Sequence, residues 1–282
     1  MDTQRMTARR GDEGGRDMLR TDVGDLSVAY VRAGHGPPLV LLHGFLFDSR
    51  SWRPQLEGLA SEFTVIAWDA PGEGRSSDLP EHFEIADWAH CLAGLFDAAR
   101  VGRAHLVGLS WGGLLAQEFY RRNPDRVLSL VLADTYAGWR GSLGAATADE
   151  RLAACLRDSM MPADEVVSRY LPGMHSESAA PEVREELATI MSDFQPHGFR
   201  LMARALADAD TRDLLPEIRV PALLLWGEAD ARSPLNVAHA MKAIIPEARL
   251  SVIPDAGHLS NVEAPARFDA ELRAFCLDGA TA

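Results

Sequence analysis

Apolar residues fall along this chain in short blocks. Leu39-Val40-Leu41-Leu42, Thr64-Val65-Ile66-Ala67-Trp68 and Ala222-Leu223-Leu224-Leu225-Trp226 are each bounded by Pro, Gly or charged residues. Such brief, unbroken runs read as strands buried on both faces, the mark of a parallel sheet. The same reasoning predicts strands near 26–32, 39–42, 64–68, 105–108, 127–133, 222–226 and 250–253, with another near 18–21. Between them the period changes. Ile85, Trp88, Ala89, Leu92, Leu95 and Phe96 recur at helical spacing, so that helix lays one apolar face on the sheet and leaves His90 at the surface. Further helices are expected from Gly113 and over 264–276. Alternating strands and helices imply an α/β fold with a mostly parallel sheet flanked by helices.

The alternation breaks between residues 135 and 215. Helical segments are expected at 148–159, 163–170, 181–192 and 198–208, punctuated by Pro162, Pro172, Pro181 and Pro196. The chain therefore divides into a polar N-terminal tail over 1–20, expected to be disordered, a core over 21–134 and 216–282, and a helical insertion over 135–215. The tail lacks the apolar stretch of a signal peptide, and no apolar run approaches the length of a membrane span.

Composition narrows the picture. A chain of 282 residues with 47% hydrophobic content can bury a sizeable core. The net charge of −13 argues against nucleic acid and anionic membrane surfaces, which require clustered Lys and Arg. The cysteines, Cys91, Cys155 and Cys276, form no close motif and fit a reducing cytoplasm.

The chemistry concentrates at strand ends. Gly108-Leu109-Ser110-Trp111-Gly112 lies between a strand-like and a helix-like run. Alone, this spacing is a weak signal. In that setting it is a nucleophile elbow, a turn so sharp that small residues must flank the serine. The run 39–42 ends in His43-Gly44, and the N–H of Phe45 then falls where a second oxyanion donor belongs, beside that of Trp111. His43 itself reads as a brace for this loop. Glu228-Ala229-Asp230 follows one late strand and Asp255-Ala256-Gly257-His258 the next. An acid and a histidine thus complete the order Ser, Asp, His. Asp134, after an earlier strand, is the rival acid.

Together with Asp69-Ala70-Pro71-Gly72-Glu73-Gly74-Arg75-Ser76, these motifs make the chain resemble the serine-nucleophile α/β-hydrolase fold superfamily from Leu26 to Leu277. The resemblance implies an eight-stranded-type sheet, a Ser110/Asp230/His258 triad, no cofactor or metal, and a variable cap where the insertion lies. The elbow is similar to that of enol-lactonases. In relatives with an aspartate nucleophile a tryptophan often follows that acid, so Trp111 is read as an apolar wall and amide donor.

An esterase or lactonase acting on small to medium apolar molecules is the first expectation. A carbon–carbon bond hydrolase comes second. A lyase, perhydrolase or cofactor-free oxygenase that keeps the triad, or a slow-turnover receptor, stays open. The insertion is rich in Met and aromatic residues and shows no basic cluster, so neutral substrates are expected there, with Trp139, Phe194 and Met202 as candidate pocket residues. Oligomeric state is not legible.

Overall fold

In a computed structural model, residues 12–13 and 16–278 are described. Nine strands run in chain order: β1 (Asp12–Glu13), β2 (Arg16–Val23), β3 (Leu26–Ala33), β4 (Pro38–Leu42), β5 (Thr64–Trp68), β6 (Ala104–Leu109), β7 (Val127–Ala133), β8 (Ala222–Gly227) and β9 (Arg249–Ile253). Among the described residues they form one sheet, ordered β1-β2-β3-β5-β4-β6-β7-β8-β9. The strands from β4 to β9 pair in parallel; β1, β2 and β3 join antiparallel at one edge. The seven strands from β3 on begin and end within one residue of the expected positions.

Two differences stand at the N-terminus. β2 begins at Arg16, inside the stretch expected as a tail, and pairs with β3 from Met18 to Val23. The short β1 adds a strand beyond the expected eight. The rest of that tail, residues 1–11 and 14–15, lies outside the described residues.

The helices are α1 (Arg53–Gly58), α2 (Ile85–Ala98), α3 (Trp111–Arg122), α4 (Gly138–Leu143), α5 (Ala145–Asp158), α6 (Ala163–Tyr170), α7 (Pro181–Ser192), α8 (Pro196–Asp208), α9 (Leu235–Lys242), α10 (Ser260–Glu263) and α11 (Pro265–Asp278). Of the predicted stripe, α2 buries Trp88, Ala89, Leu92, Leu95 and Phe96, leaves Ile85 half-buried at its first turn, and exposes His90. Trp52, Trp68, Trp88, Trp111 and Trp226 are fully buried around the sheet. Each side chain of this size contributes on the order of 1.5–3 kcal/mol by leaving water.

The helices α4 to α8 are inserted between β7 and β8. α4 is unexpected from sequence, because Gly138, Gly141 and Gly144 dilute its helical signal. The insertion is fastened to the core. Phe199 of α8 stacks on Phe45 at 5.3 Å between centroids. Arg50 donates to Asp193 at 2.8 Å. At Gly198 a Cβ would strike the carbonyl of Gly72, so the two backbones approach as closely as glycine allows.

Parallel pairing puts the C-terminal ends of β4, β6, β7, β8 and β9 at one sheet edge. That edge is where open α/β sheets place their ligands.

Candidate active site

β6 ends at Leu109 and α3 begins at Trp111, so Ser110 alone makes the turn. Its backbone has φ 55° and ψ −116°, a conformation an L-residue keeps only when its surroundings enforce it. They do. The Ser110 N–H donates to the Ala133 carbonyl at 2.9 Å, and Thr135 Oγ1 donates to the Ser110 carbonyl at 2.5 Å. A Cβ on Gly108 would run into the Gly112 carbonyl, and one on Gly112 into that of Leu42. The glycine spacing read in the sequence therefore has a geometric cause. The N–H of Trp111, first in its helix, has no intrahelical acceptor and sits at the positive end of the helix dipole.

His258 and Asp230 are brought together. His258 Nδ1 donates to Asp230 Oδ2 at 2.8 Å, and both side chains are buried. Asp230 Oδ1 accepts the backbone N–H groups of Arg232 at 2.8 Å and Ser233 at 2.9 Å. Three donors hold the carboxylate in one orientation. A proton on Nδ1 leaves His258 Nε2 with a free lone pair.

Asp134 is occupied elsewhere. Its Oδ1 accepts the Gly227 N–H at 2.7 Å, and its Oδ2 bonds the Ser260 hydroxyl at 2.5 Å. Burial first, then the charge of Asp230, pushes its carboxyl well above the usual carboxylate range, which favours the neutral acid.

His43 has both ring nitrogens engaged. Nδ1 donates to the Gly44 carbonyl at 2.8 Å, and Nε2 accepts the Ala70 N–H at 2.9 Å. Burial lowers its pKa. It braces the loop.

Ser110 and His258 border one cavity, closed so tightly that it does not admit a water-sized sphere. Its apolar wall is Phe45, Phe47, Leu109, Met174 and Leu259. Trp139, Phe194 and Met202 are not among its lining residues, although all three are buried. Trp139 meets Phe45 edge to face at 6.3 Å, and Phe194 meets Phe199 at 5.7 Å. They pack the layer behind the wall. The Trp111 indole is not a wall either: it lies against Trp88 at 5.2 Å and His43 at 6.4 Å, inside the core. Sequence reasoning missed Phe47, Met174 and Leu259 as walls. Phe47 could have been found, since it lies two residues after Phe45 in the same loop. A larger open hollow near Arg103, Tyr120 and Val220 lies by the starts of β6 and β8, away from this edge.

One basic side chain of the insertion reaches a core loop. Arg151 of α5 reaches the backbone carbonyl of Arg232, 81 positions on, at 3.1 Å. Two arginines thus meet where the insertion joins the core.

The sequence model of the alpha/beta hydrolase family matches residues 39–271. The dihydrolipoyllysine-residue acetyltransferase component of the acetoin cleaving system of Pseudomonas putida is 31% identical over 287 residues, covering 96% of this chain and 74% of that protein. The 3-oxoadipate enol-lactonase 1 of Acinetobacter baylyi is 29% identical, over 86% of this chain and 90% of its own. A thermophilic esterase from Thermogutta terrifontis is 32% identical and superposes with a TM-score of 0.85, covering 95% of this chain and 100% of that structure.

Proposed function

The chain belongs to the alpha/beta hydrolase family, and on that premise we propose that it cleaves carboxylic esters or lactones through an acyl-enzyme on Ser110. The observation that carries this reading is the 2.8 Å bond from His258 to Asp230, beside a cavity that His258 shares with a strained Ser110.

A serine hydroxyl attacks a carbonyl only when a base takes its proton. His258 Nε2 is that base, and the imidazolium it becomes then protonates the leaving alkoxide. Asp230 fixes the tautomer and stabilises the imidazolium without taking the proton. The N–H groups of Phe45 and Trp111 hold the oxyanion, typically worth about 2.7–4 kcal/mol per donor. Water, activated by the same histidine, releases the acid and restores the serine.

The helices α4 to α8, within residues 135–215, act as the cap, since Met174 from this insertion walls the cavity. Closed in this way, the cavity lacks the roughly 300–1,000 Å³ that encloses a drug-sized ligand. Any acyl chain therefore requires wall residues such as Met174 or Phe47 to move, and longer chains require more movement. Among the described residues no helix is long and apolar enough to cross a membrane. Cys91, Cys155 and Cys276 are buried free thiols, in keeping with a cytoplasmic protein.

A fluorophosphonate should label the protein once, at Ser110. Ser110→Ala should lose both the label and p-nitrophenyl ester turnover, by as much as about 10⁶ in kcat. Stoichiometric labelling of another serine would overturn the assignment.

A further inference from the structure

Two arginines sit at the junction of insertion and core without an acidic partner. Arg151 donates from Nη1 to the Tyr136 hydroxyl and from Nη2 to the Arg232 carbonyl, each at 3.1 Å. Its guanidinium lies over Tyr136 and Trp139, 5.8 and 5.6 Å from the ring centroids. Arg232 lies over the Tyr170 ring at 5.0 Å and donates from Nη2 to the Tyr170 carbonyl at 2.9 Å. Among the described residues none of these bonds goes to a carboxylate.

The surroundings add donors rather than acceptors. The Tyr136 hydroxyl is itself spent on the Arg232 carbonyl at 2.5 Å, and the buried indole N–H of Trp139 has no acceptor. Some arginines of this acidic chain are paired, as Arg50 is with Asp48, Arg121 with Asp213 and Arg169 with Asp158, while Arg32, Arg103 and Arg184 bond backbone carbonyls at other places. Two half-buried like charges with no hydrogen-bonded carboxylate are costly. Burial, reinforced by the Arg151 charge, pulls the Arg232 guanidinium below the usual arginine range. An anion between the two would satisfy free donors and relieve that repulsion.

The pair adjoins the residues behind the cavity wall. A Cβ on Gly173 would lie 2.8 Å from Arg232 Nε, and the next residue, Met174, walls the cavity beside Ser110. Trp139, beneath Arg151, packs on the wall residue Phe45. We propose that Arg151 and Arg232 form a carboxylate subsite, so that the substrate is an ester or lactone bearing a second, ionised carboxyl group. This rests on the reading of Ser110 as nucleophile.

The test compares monomethyl succinate, glutarate and adipate with methyl butyrate, pentanoate and hexanoate, followed by proton release. The wild type should favour the best half-ester over its neutral counterpart by about 10- to 100-fold in kcat/KM, chiefly through KM. Arg151→Gln and Arg232→Gln should each move that ratio toward one, and Arg232→Lys should retain part of it. A wild type with no preference for half-esters would overturn the subsite, as would a preference that survives in the Arg151→Gln/Arg232→Gln double variant. Should a variant at Arg232 fail to fold, the wild-type ratio and Arg151→Gln still decide. Fluorophosphonate labelling of the wild type separates the two readings: Ser110 labelled without a half-ester preference removes the subsite alone, and an unlabelled Ser110 removes the nucleophile beneath it.

Discussion

At Gly108 one added methyl group would strike a backbone carbonyl. At Met202, equally buried, the residue could be another apolar side chain of similar volume. The strand-end loops and the inserted helices differ in this way throughout. In the loops, backbone geometry and single hydrogen bonds dictate the residue. In the insertion, packing dictates only size and polarity. The comparison teaches where substitutions should act as switches and where they should act by degrees.

The sharpest break would come from the two acids at the strand ends. Asp230→Asn should leave His258 in the wrong tautomer and lower kcat by about 10⁴. Asp134→Asn should cost far less, because Asp134 bonds Gly227 and Ser260 and does not reach His258. Asn also tolerates the positive φ of 47° at that position. Steady-state kinetics on one ester decide it. If the two losses are reversed, the acid lies after β7 and the loops are wired differently.

The insertion should answer in smaller steps. Met174→Ala enlarges the cavity, so each added methylene that becomes buried should improve kcat/KM by up to about fourfold, and the optimum should move to longer acyl chains. Met202→Ala should lower thermal stability, by roughly 2–5 kcal/mol, without moving the optimum. A shift with Met202→Ala and none with Met174→Ala would mean that the cap opens onto a different surface from the one that walls Ser110 here.

What could be read from sequence follows the same division. Ser110 was legible because its turn demands glycines at fixed spacing, and His258 because it follows the last strand of an ordered series. Asp230 was legible by position, though only the bond to His258 separates it from Asp134. The Trp111 indole was misplaced because a residue's backbone can serve a site while its side chain turns into the core. Phe194 and Met202 were indistinguishable from Met174 in pattern, since apolar periodicity marks burial and not what lies on the other side. The arginine pair was invisible: Arg151 belongs to a helix and Arg232 to a core loop, and only the docking of insertion on core joins them.

The smallest predicted effect lies on the seam between the two regions. Glu73, in the loop after β5, is only 2% exposed. Its Oε2 accepts the Gln195 N–H from the insertion at 3.4 Å, and its Oε1 has no partner. Burial first, with Asp48 and Asp69 adding like charge, pushes its carboxyl well above the usual range. The folded state therefore holds this proton more tightly than the unfolded chain does. The stabilisation is fully present below the unfolded pKa of about 4.3 and fades as pH rises through the folded value. Glu73→Gln keeps an acceptor for Gln195 and cannot ionise. It should therefore raise the Tm by a few degrees at about pH 8 and by much less at about pH 5. Asp69, Asp134 and His43 also titrate in buried settings, so the wild-type curve alone mixes their effects. The difference between variant and wild type isolates Glu73. If that difference does not widen with pH, the seam is not held by a neutral acid, and insertion and core meet there through packing alone.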